Sequence, residues 1–384
     1  MGKRVGIIGV GQTNHAAKRL DASGVEIIAE AVTRALDDAE LTIADIDAIV
    51  IGNMDHFENI NYVDMWAVEG LGACMKPVFK VTTGGTTGST VGACGYYHCA
   101  SGLFDVVMAV GWEKNSESDT QAAIATCANP ILERDFFAGA IGPLATEYSM
   151  YMKAYGATEE DAAIVAARDR NNALNNPYAH SRQQVTVEDV LKSPMLSYPI
   201  KFLDMCPRSD GACAVIFAME EKAKRLCPRP AWVHASVVRH DYTHFGDLEW
   251  TFMPTLERAS AEAYKLAGIT DPLKEFDVAE LYLPASTCGV KWMDSLWFCE
   301  HGEAPKLVRK GTFHMDGELP VNPSGGVIST NPIGATALIR IGEAAWQIMG
   351  KAGARQVEKV RKALATGFGG CSWSDVMILG ADLP

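Results

Sequence analysis

Apolar and polar positions follow two rhythms along this chain. Near the start, "RVGIIGVGQTNHA" carries a short apolar run that leads into a turn, the pattern of a buried strand. "GVEIIAEAVTRALDDAEL" then carries apolar residues at helical spacing and predicts an amphipathic helix. "IDAIVIGNM", "VFKV" and "DVVMAVGWEK" read as strands, the last buried on both faces. "TTGSTVGACGYYHCASGLF" lies between them and reads as a helix of small residues. Such alternation predicts an α/β sandwich with helices laid against mixed sheets.

Residues 115–205 break the rhythm: "NSESDTQAAIATCANPILERDFFAGAIGP" has glycines, prolines and no strong period and predicts an inserted lid or binding loop, and helical pieces follow in "ATEYSMYMKAYG" and "TEEDAAIVAARDRNNALNN". "CPRSDGACAVIFAMEEKAKRL" returns to the core, and from "CPRPAWVHASVV" the first pattern recurs. "FDVAELYLPAS" answers "IDAIVIGNM", and the helix after "NPIGATALIRIGEAAWQI" answers the helix after "GGTTGSTVG". "VRKALATGFGG" with "SDVMILGAD" answers "FDVVMAVGWEK". A repeated element order predicts two similar halves, residues 1–228 and 229–384. Packed face to face, they would set the two small-residue helices side by side, with their glycine-rich N-termini bordering one cavity.

Composition narrows the function. Of 384 residues, 48% are hydrophobic and 21% charged, which fits an ordinary globular protein. The net charge is −13 with Lys and Arg scattered, which excludes a nucleic-acid binder built on clustered cations. No apolar run reaches the roughly 20 residues of a membrane span, and the opening apolar stretch is too brief for a signal peptide. A cytoplasmic location is therefore expected, with the ten cysteines reduced. None form CxxC pairs, so no metal site is expected in this chain. The opening glycines imitate a dinucleotide fingerprint, but Asn14 replaces the third glycine and no acidic residue closes a second strand.

"VNPSGGVISTNPIGATALIRIGEAAWQIMGKAGARQV" resembles the C-terminal signature of the thiolase superfamily, in the branch of the sterol-carrier-protein X thiolases and related lipid-transfer aldolases. "CPRSDGACAVIF" is similar to a second segment of that branch, and "VFKVTTGGTTGST" lies where the family places its nucleophile helix. The resemblance implies two βαβαβαββ halves in a layered α-β-α-β-α sandwich with an inserted loop domain. It also implies a homodimer, a coenzyme A thioester as substrate, and a separately encoded zinc-ribbon/OB-fold partner that holds any metal.

Family members use a nucleophilic cysteine at a helix N-terminus, where the dipole stabilises a thiolate. A histidine in HDCF or an asparagine in NEAF, with a histidine in HPxGATG, serves as oxyanion donors, and a second cysteine is acid and base. This chain departs at each position. Gly85 stands at the nucleophile's place. "YLPA" replaces HDCF, so Tyr282 stands for the histidine and Pro284 for the acid–base cysteine. "NPIGATA" puts Asn331 in place of the remaining histidine. The implied catalytic residues are then Tyr282 and Asn331, with Cys371 after "GFGG" and Cys288 as a relocated acid–base group. Gly85, Gly325, Gly326, Gly369 and Gly370 are the expected close-approach positions for coenzyme A. Cations between Arg168 and Arg208 are candidates for its phosphates.

Without a cysteine at residue 85, no acyl-enzyme can form there. One reading is thiolysis of a 3-ketoacyl-CoA, such as the aroyl type 2-benzoylsuccinyl-CoA, by direct attack of a second coenzyme A thiol for which Gly85 leaves room. A second is retro-aldol cleavage of a 3-hydroxyacyl-CoA such as a steroid side-chain thioester, with Tyr282 as base if neighbours lower its pKa. A third is a non-catalytic acyl-CoA-binding scaffold.

Overall fold

Ser23 starts helix α1 (Gly24–Ala39) with a capping box, its hydroxyl taking the Glu26 N–H while the Glu26 carboxylate takes the Ser23 N–H. The apolar stripe of α1 buries Ile27, Ile28, Ala31, Val32 and Ala35. A computed structural model describes residues 2–136, 139–242, 245–370 and 373–384. The first half contributes strands β1 (Val5–Gln12), β2 (Ala48–Gly52), β3 (Val78–Lys80) and β4 (Val106–Lys114), with helix α2 (Thr87–Ala100) between β3 and β4. Residues 115–205 hold helices α3 (Ile141–Tyr155) and α4 (Glu159–Asn172), on the two segments that read as helical, and a small hairpin. Strand β5 (Asp210–Met219) then returns to the sheet.

The second half supplies β6 (Ala231–His240), α5 (Pro254–Ala267), β7 (Val278–Glu280), α6 (Cys288–Ser295), α7 (Ile333–Met349), β8 (Lys362–Gly369) and β9 (Trp373–Gly380). Among the described residues, nine strands share one sheet in the order β3-β2-β4-β5-β1-β6-β9-β8-β7. That order mirrors about its middle. β2 and β4 are parallel, as are β7 and β8, and the remaining pairs toward the centre are antiparallel. An isolated parallel bridge between Ala279 and Val321 stands where the second half's counterpart of β3 would lie. The pairing also refines one expectation: β8 answers β4, whereas β9, from "SDVMILGAD", answers β5.

The half-sheets join through β1 and β6 at only two residue pairs, Gly6 with Trp232 and Ile7 with Ala231. Elsewhere they separate around a middle layer of α2 and α7, which touches strands of both halves, while α1 and α5 cover the outer faces. Every residue of α7 is buried, including Arg340, Glu343 and Gln347. Arg340 pairs with Glu280 at 2.5 Å and Glu343 with Arg355 at 3.0 Å, which makes that polar burial tolerable. Where α2 crosses α7, a Cβ on Gly88 would lie 2.6 Å from the Leu338 nitrogen. Glycine is required for that approach.

Candidate active site

The crossing at Gly88 brings the N-termini of α2 and α7 together, since the same Cβ would also lie 3.1 Å from the Gly334 carbonyl oxygen. The turn leading into α2 is held by its own threonines. Thr87 Oγ1 donates to the Gly84 carbonyl (2.7 Å) and accepts the Thr83 N–H (3.0 Å), and Thr86 Oγ1 donates to the Thr83 carbonyl (2.8 Å). One turn further, Thr90 Oγ1 donates to Asp375 Oδ2 (3.1 Å), and Ser89 shares that carboxylate. Burial pushes the Asp375 carboxyl up to about 7, against the lowering effect of these hydroxyls. Thr86 makes no side-chain cap; the Thr87 N–H goes to the Gly84 carbonyl (3.0 Å), and the Gly88 and Ser89 N–H groups have no described partner and are left to an anion.

Gly84 and Gly85 differ sharply. Gly84 is left-handed (φ +63°), and a Cβ there would meet nothing within 4 Å. A Cβ on Gly85 would lie 2.8 Å from the Phe368 carbonyl oxygen and 3.1 Å from Gly369 Cα. Reciprocally, a Cβ on Gly369 would lie 2.8 Å from the Thr86 nitrogen and 3.0 Å from the Gly85 nitrogen. The two glycine turns pack backbone against backbone. Contrary to the expectation that Gly85 leaves room for a thiol, its own side-chain position is closed by β8, and the open space lies beside Gly84.

Asn331 sits just before α7 and is 6% exposed. Its backbone N–H donates to Ser209 Oγ (3.0 Å), and its carbonyl accepts from Asn115 Nδ2 (3.0 Å). The side-chain Oδ1 accepts from Thr336 Oγ1 (2.8 Å), which turns Nδ2 toward Cys206 Sγ at 3.2 Å. Among the described contacts only one of the two amide N–H groups is used. Fully buried Glu113 accepts the Gly334 N–H (2.8 Å) and the Met54 N–H (3.1 Å) and so fixes the start of α7. Burial, and then repulsion from Glu58, raise the Glu113 carboxyl well above the carboxylate range.

Tyr282 follows β7, its N–H held by Thr366 Oγ1 of β8 at 2.9 Å. The phenol is buried near the Thr336 hydroxyl, which opposes the rise in its pKa, and hydrogen bonds join Thr336, Asn331 and Cys206 into one network beside it. Burial raises the phenol's pKa, with nearby Cys206 as a second cause. This reverses the lowered pKa that a tyrosine base requires. The Tyr282 ring lies 6.1 Å from Phe368, which lies 4.7 Å from Trp292, and the buried Trp292 indole N–H has no partner among the described residues.

The other sequence candidates fall elsewhere. Cys288 opens α6 at 3% exposure within an apolar cluster, its thiol raised by burial, and no described hydrogen bond joins it to the network. Cys371 lies outside the described residues. Gly370 is left-handed (φ +61°), and a Cβ there would meet no described atom within 4 Å. Gly325 (φ +88°) and Gly326 (φ +59°) serve packing, because Cβ atoms there would lie 2.4 Å from Ala173 Cβ and 2.5 Å from Asn322 Nδ2. Two of the proposed phosphate cations are committed internally: Arg168 pairs with Asp169 at 2.7 Å, and Arg170 donates to the Leu203 and Met205 carbonyls at 3.0 Å.

Cys206 and Thr336 are the residues sequence reasoning missed. Cys206 opens "CPRSDGACAVIF", whose likeness to a family segment was the available signal. The residue is half-buried, and desolvation pushes its thiol up to about 11, opposed by the Asn331 hydrogen bond and the Arg170 charge. Among the described residues no group of three or more His, Cys, Asp or Glu could hold a metal ion, and no helix is long and apolar enough to cross a membrane.

Comparison with known proteins extends this picture. Residues 5–221 match the family described as "Thiolase, N-terminal domain", and residues 237–381 match "Thiolase C-terminal domain-like". The acetyl-CoA acetyltransferase of Methanothermobacter thermautotrophicus is 32% identical over 376 residues, covering 95% of this chain and 96% of that protein. The benzoylsuccinyl-CoA thiolase subunit BbsB of Thauera aromatica is 29% identical over 309 residues, covering 79% of this chain and 80% of that protein. Among solved structures, the Ltp2-ChsH2(DUF35) aldolase superposes with a TM-score of 0.86 at 25% identity, covering 99% of this chain and 98% of that one.

Proposed function

The chain belongs to the thiolase superfamily of acyl-CoA C-acyltransferases, in the sterol-carrier-protein thiolase branch, and we propose that it works without a covalent acyl-enzyme at residue 85. A second coenzyme A thiolate attacks the 3-keto carbon of a 3-ketoacyl-CoA directly. The C2–C3 bond breaks, and the leaving acyl-CoA departs as its enolate. The observation that carries this reading is the Phe368 carbonyl oxygen 2.8 Å from the position a side chain at residue 85 would need. The uncapped N-terminus of α2 stabilises the attacking thiolate or the oxyanion it creates. The spare amide N–H of Asn331 donates to the enolate oxygen. Tyr282, kept neutral by burial, acts as a hydrogen-bond donor.

The aromatic trio of Tyr282, Phe368 and Trp292 supports an aroyl substrate of the 2-benzoylsuccinyl-CoA kind, giving benzoyl-CoA and succinyl-CoA. The likeness to a benzoylsuccinyl-CoA thiolase subunit points the same way. That relative is named as a subunit and the aldolase neighbour carries a DUF35 partner, which supports a small zinc-ribbon/OB-fold partner here. A homodimeric core and a cytoplasmic setting complete the proposal. Retro-aldol cleavage is favoured by the superposition on an aldolase and by a tyrosine at residue 282, but a buried phenol with a raised pKa is a poor base.

The test offers the protein, with and without the partner, 2-benzoylsuccinyl-CoA plus coenzyme A, and separately a 3-hydroxyacyl-CoA alone. Thiol-dependent release of two acyl-CoA products is expected. Thiol-independent release of an aldehyde or ketone would replace thiolysis with the aldolase, and tight binding without turnover would replace both with the scaffold.

A further inference from the structure

The mechanism above leaves the enolate without a proton source, and the fold supplies one outside the repeated elements. Pro284 follows Tyr282 in the segment where the family resemblance sets an acid–base thiol. The chain at 205–206 runs alongside it: Met205 bridges Ala285 in antiparallel fashion, and the Cys206 N–H donates to the Pro284 carbonyl at 3.0 Å. A thiol is thereby returned to the neighbourhood of Pro284 from a different segment. Its sulfur sits 3.2 Å from Asn331 Nδ2. The same amide is more than nine-tenths buried and keeps a second N–H without a described partner. One side chain therefore addresses both the sulfur and the place of the enolate oxygen.

Resting on the thiolytic reading, we propose that Cys206 is the catalytic acid and base at the carbon next to the thioester carbonyl. As the C2–C3 bond breaks, its electron pair passes to C2 and the thioester oxygen. The Cys206 S–H bond then breaks, the proton forms the new C2–H bond, and the sulfur is left as a thiolate. The next coenzyme A returns a proton to Cys206 when its own thiol becomes the attacking thiolate, so one turnover consumes one 3-ketoacyl-CoA and one coenzyme A and leaves the sulfur unchanged. Desolvation keeps the thiol protonated at neutral pH, as a donor must be. Asn331 and the positive Arg170 stabilise the thiolate that follows. The role needs no covalent bond to substrate.

The test separates this step from C–C cleavage. Protein with its partner is incubated in D₂O with succinyl-CoA alone, and deuterium entering the carbon next to the thioester is followed by mass spectrometry. Thiolysis of 2-benzoylsuccinyl-CoA is measured in parallel. Cys206→Ala should lower exchange and kcat together by about 100-fold or more, the range of acid–base catalysis, with KM changed by less than about threefold. Where Cys206→Ala does not fold, Cys206→Ser serves, since it keeps the size and loses the soft acid; an equal loss supports the proposal. Exchange and kcat within about threefold of wild type in a folded variant would overturn it. Wild-type exchange that depends on Cys206 in a protein lacking thiolysis would leave Cys206 as the acid–base group and remove the thiolytic reading instead.

Discussion

Replacing Gly85 tests whether the turn has merely lost a cysteine or has closed over its site. An alanine Cβ would lie 2.8 Å from one backbone atom and 3.1 Å from another, and neither belongs to a side chain that can swing away. Gly85 is not left-handed, so no conformational strain adds to the clash. Overpacking of this kind costs about 1–3 kcal/mol, against which the stiffer unfolded chain returns about 0.4–1 kcal/mol. The net loss expected for Gly85→Ala is about 1–2 kcal/mol, read from the denaturant midpoint at unchanged slope. Gly85→Asn should be worse, because it is larger. Gly84 should invert that order: its space is open but its φ is +63°, so Gly84→Ala loses about 1 kcal/mol to strain and Gly84→Asn loses less. Gly85→Cys should form no acyl adduct by intact mass during turnover, and its activity should fall as the Phe368–Gly369 turn is displaced. A Gly85→Cys protein that is as stable as wild type and accumulates an acyl group on the new sulfur would refute the closed-turn argument.

Three further outcomes follow from the same geometry. Asn331→Ala should lower kcat by about 10²–10³ with little change in KM, because it removes a donor used as the enolate forms. Tyr282→Phe removes a buried hydroxyl, so it should cost about 1 kcal/mol of stability but lower turnover at least tenfold by steady-state assay; unchanged turnover would take Tyr282 out of the mechanism. Asp375 is held near 7 in the fold against 3.8 as an unperturbed carboxyl, so the folded chain keeps a proton that the unfolded chain has lost. Stability should therefore fall by about 3–4 kcal/mol as pH rises from about 4 to 7, and Asp375→Asn should remove that slope from urea unfolding measured across the range.

The strands and helices of both halves were legible because buried strands and amphipathic helices write their periods directly into the chain, as in β4 and α1. Gly85, Tyr282 and Asn331 could be singled out because the segments that resemble the family carry them. Three things could not be read. That β9 answers β5 depends on sheet neighbours rather than on local pattern. That residue 85 is closed depends on a carbonyl 283 positions away in β8 meeting a turn in the other half. Cys206 looked like one small core residue among ten cysteines, because its partner, Asn331, is 125 positions distant and only packing brings them together.

Helix α7 has no face toward solvent, and its buried Arg340 pairs with a carboxylate from β7. It behaves as a keystone. A fragment ending near residue 228 would leave the α2 glycines facing water, and the complementary fragment would bare an entire helix wall. Neither piece has a native surface to fall back on. Melting should accordingly be concerted across the chain, and proteolytic survival should track the whole protein's opening rather than that of either part.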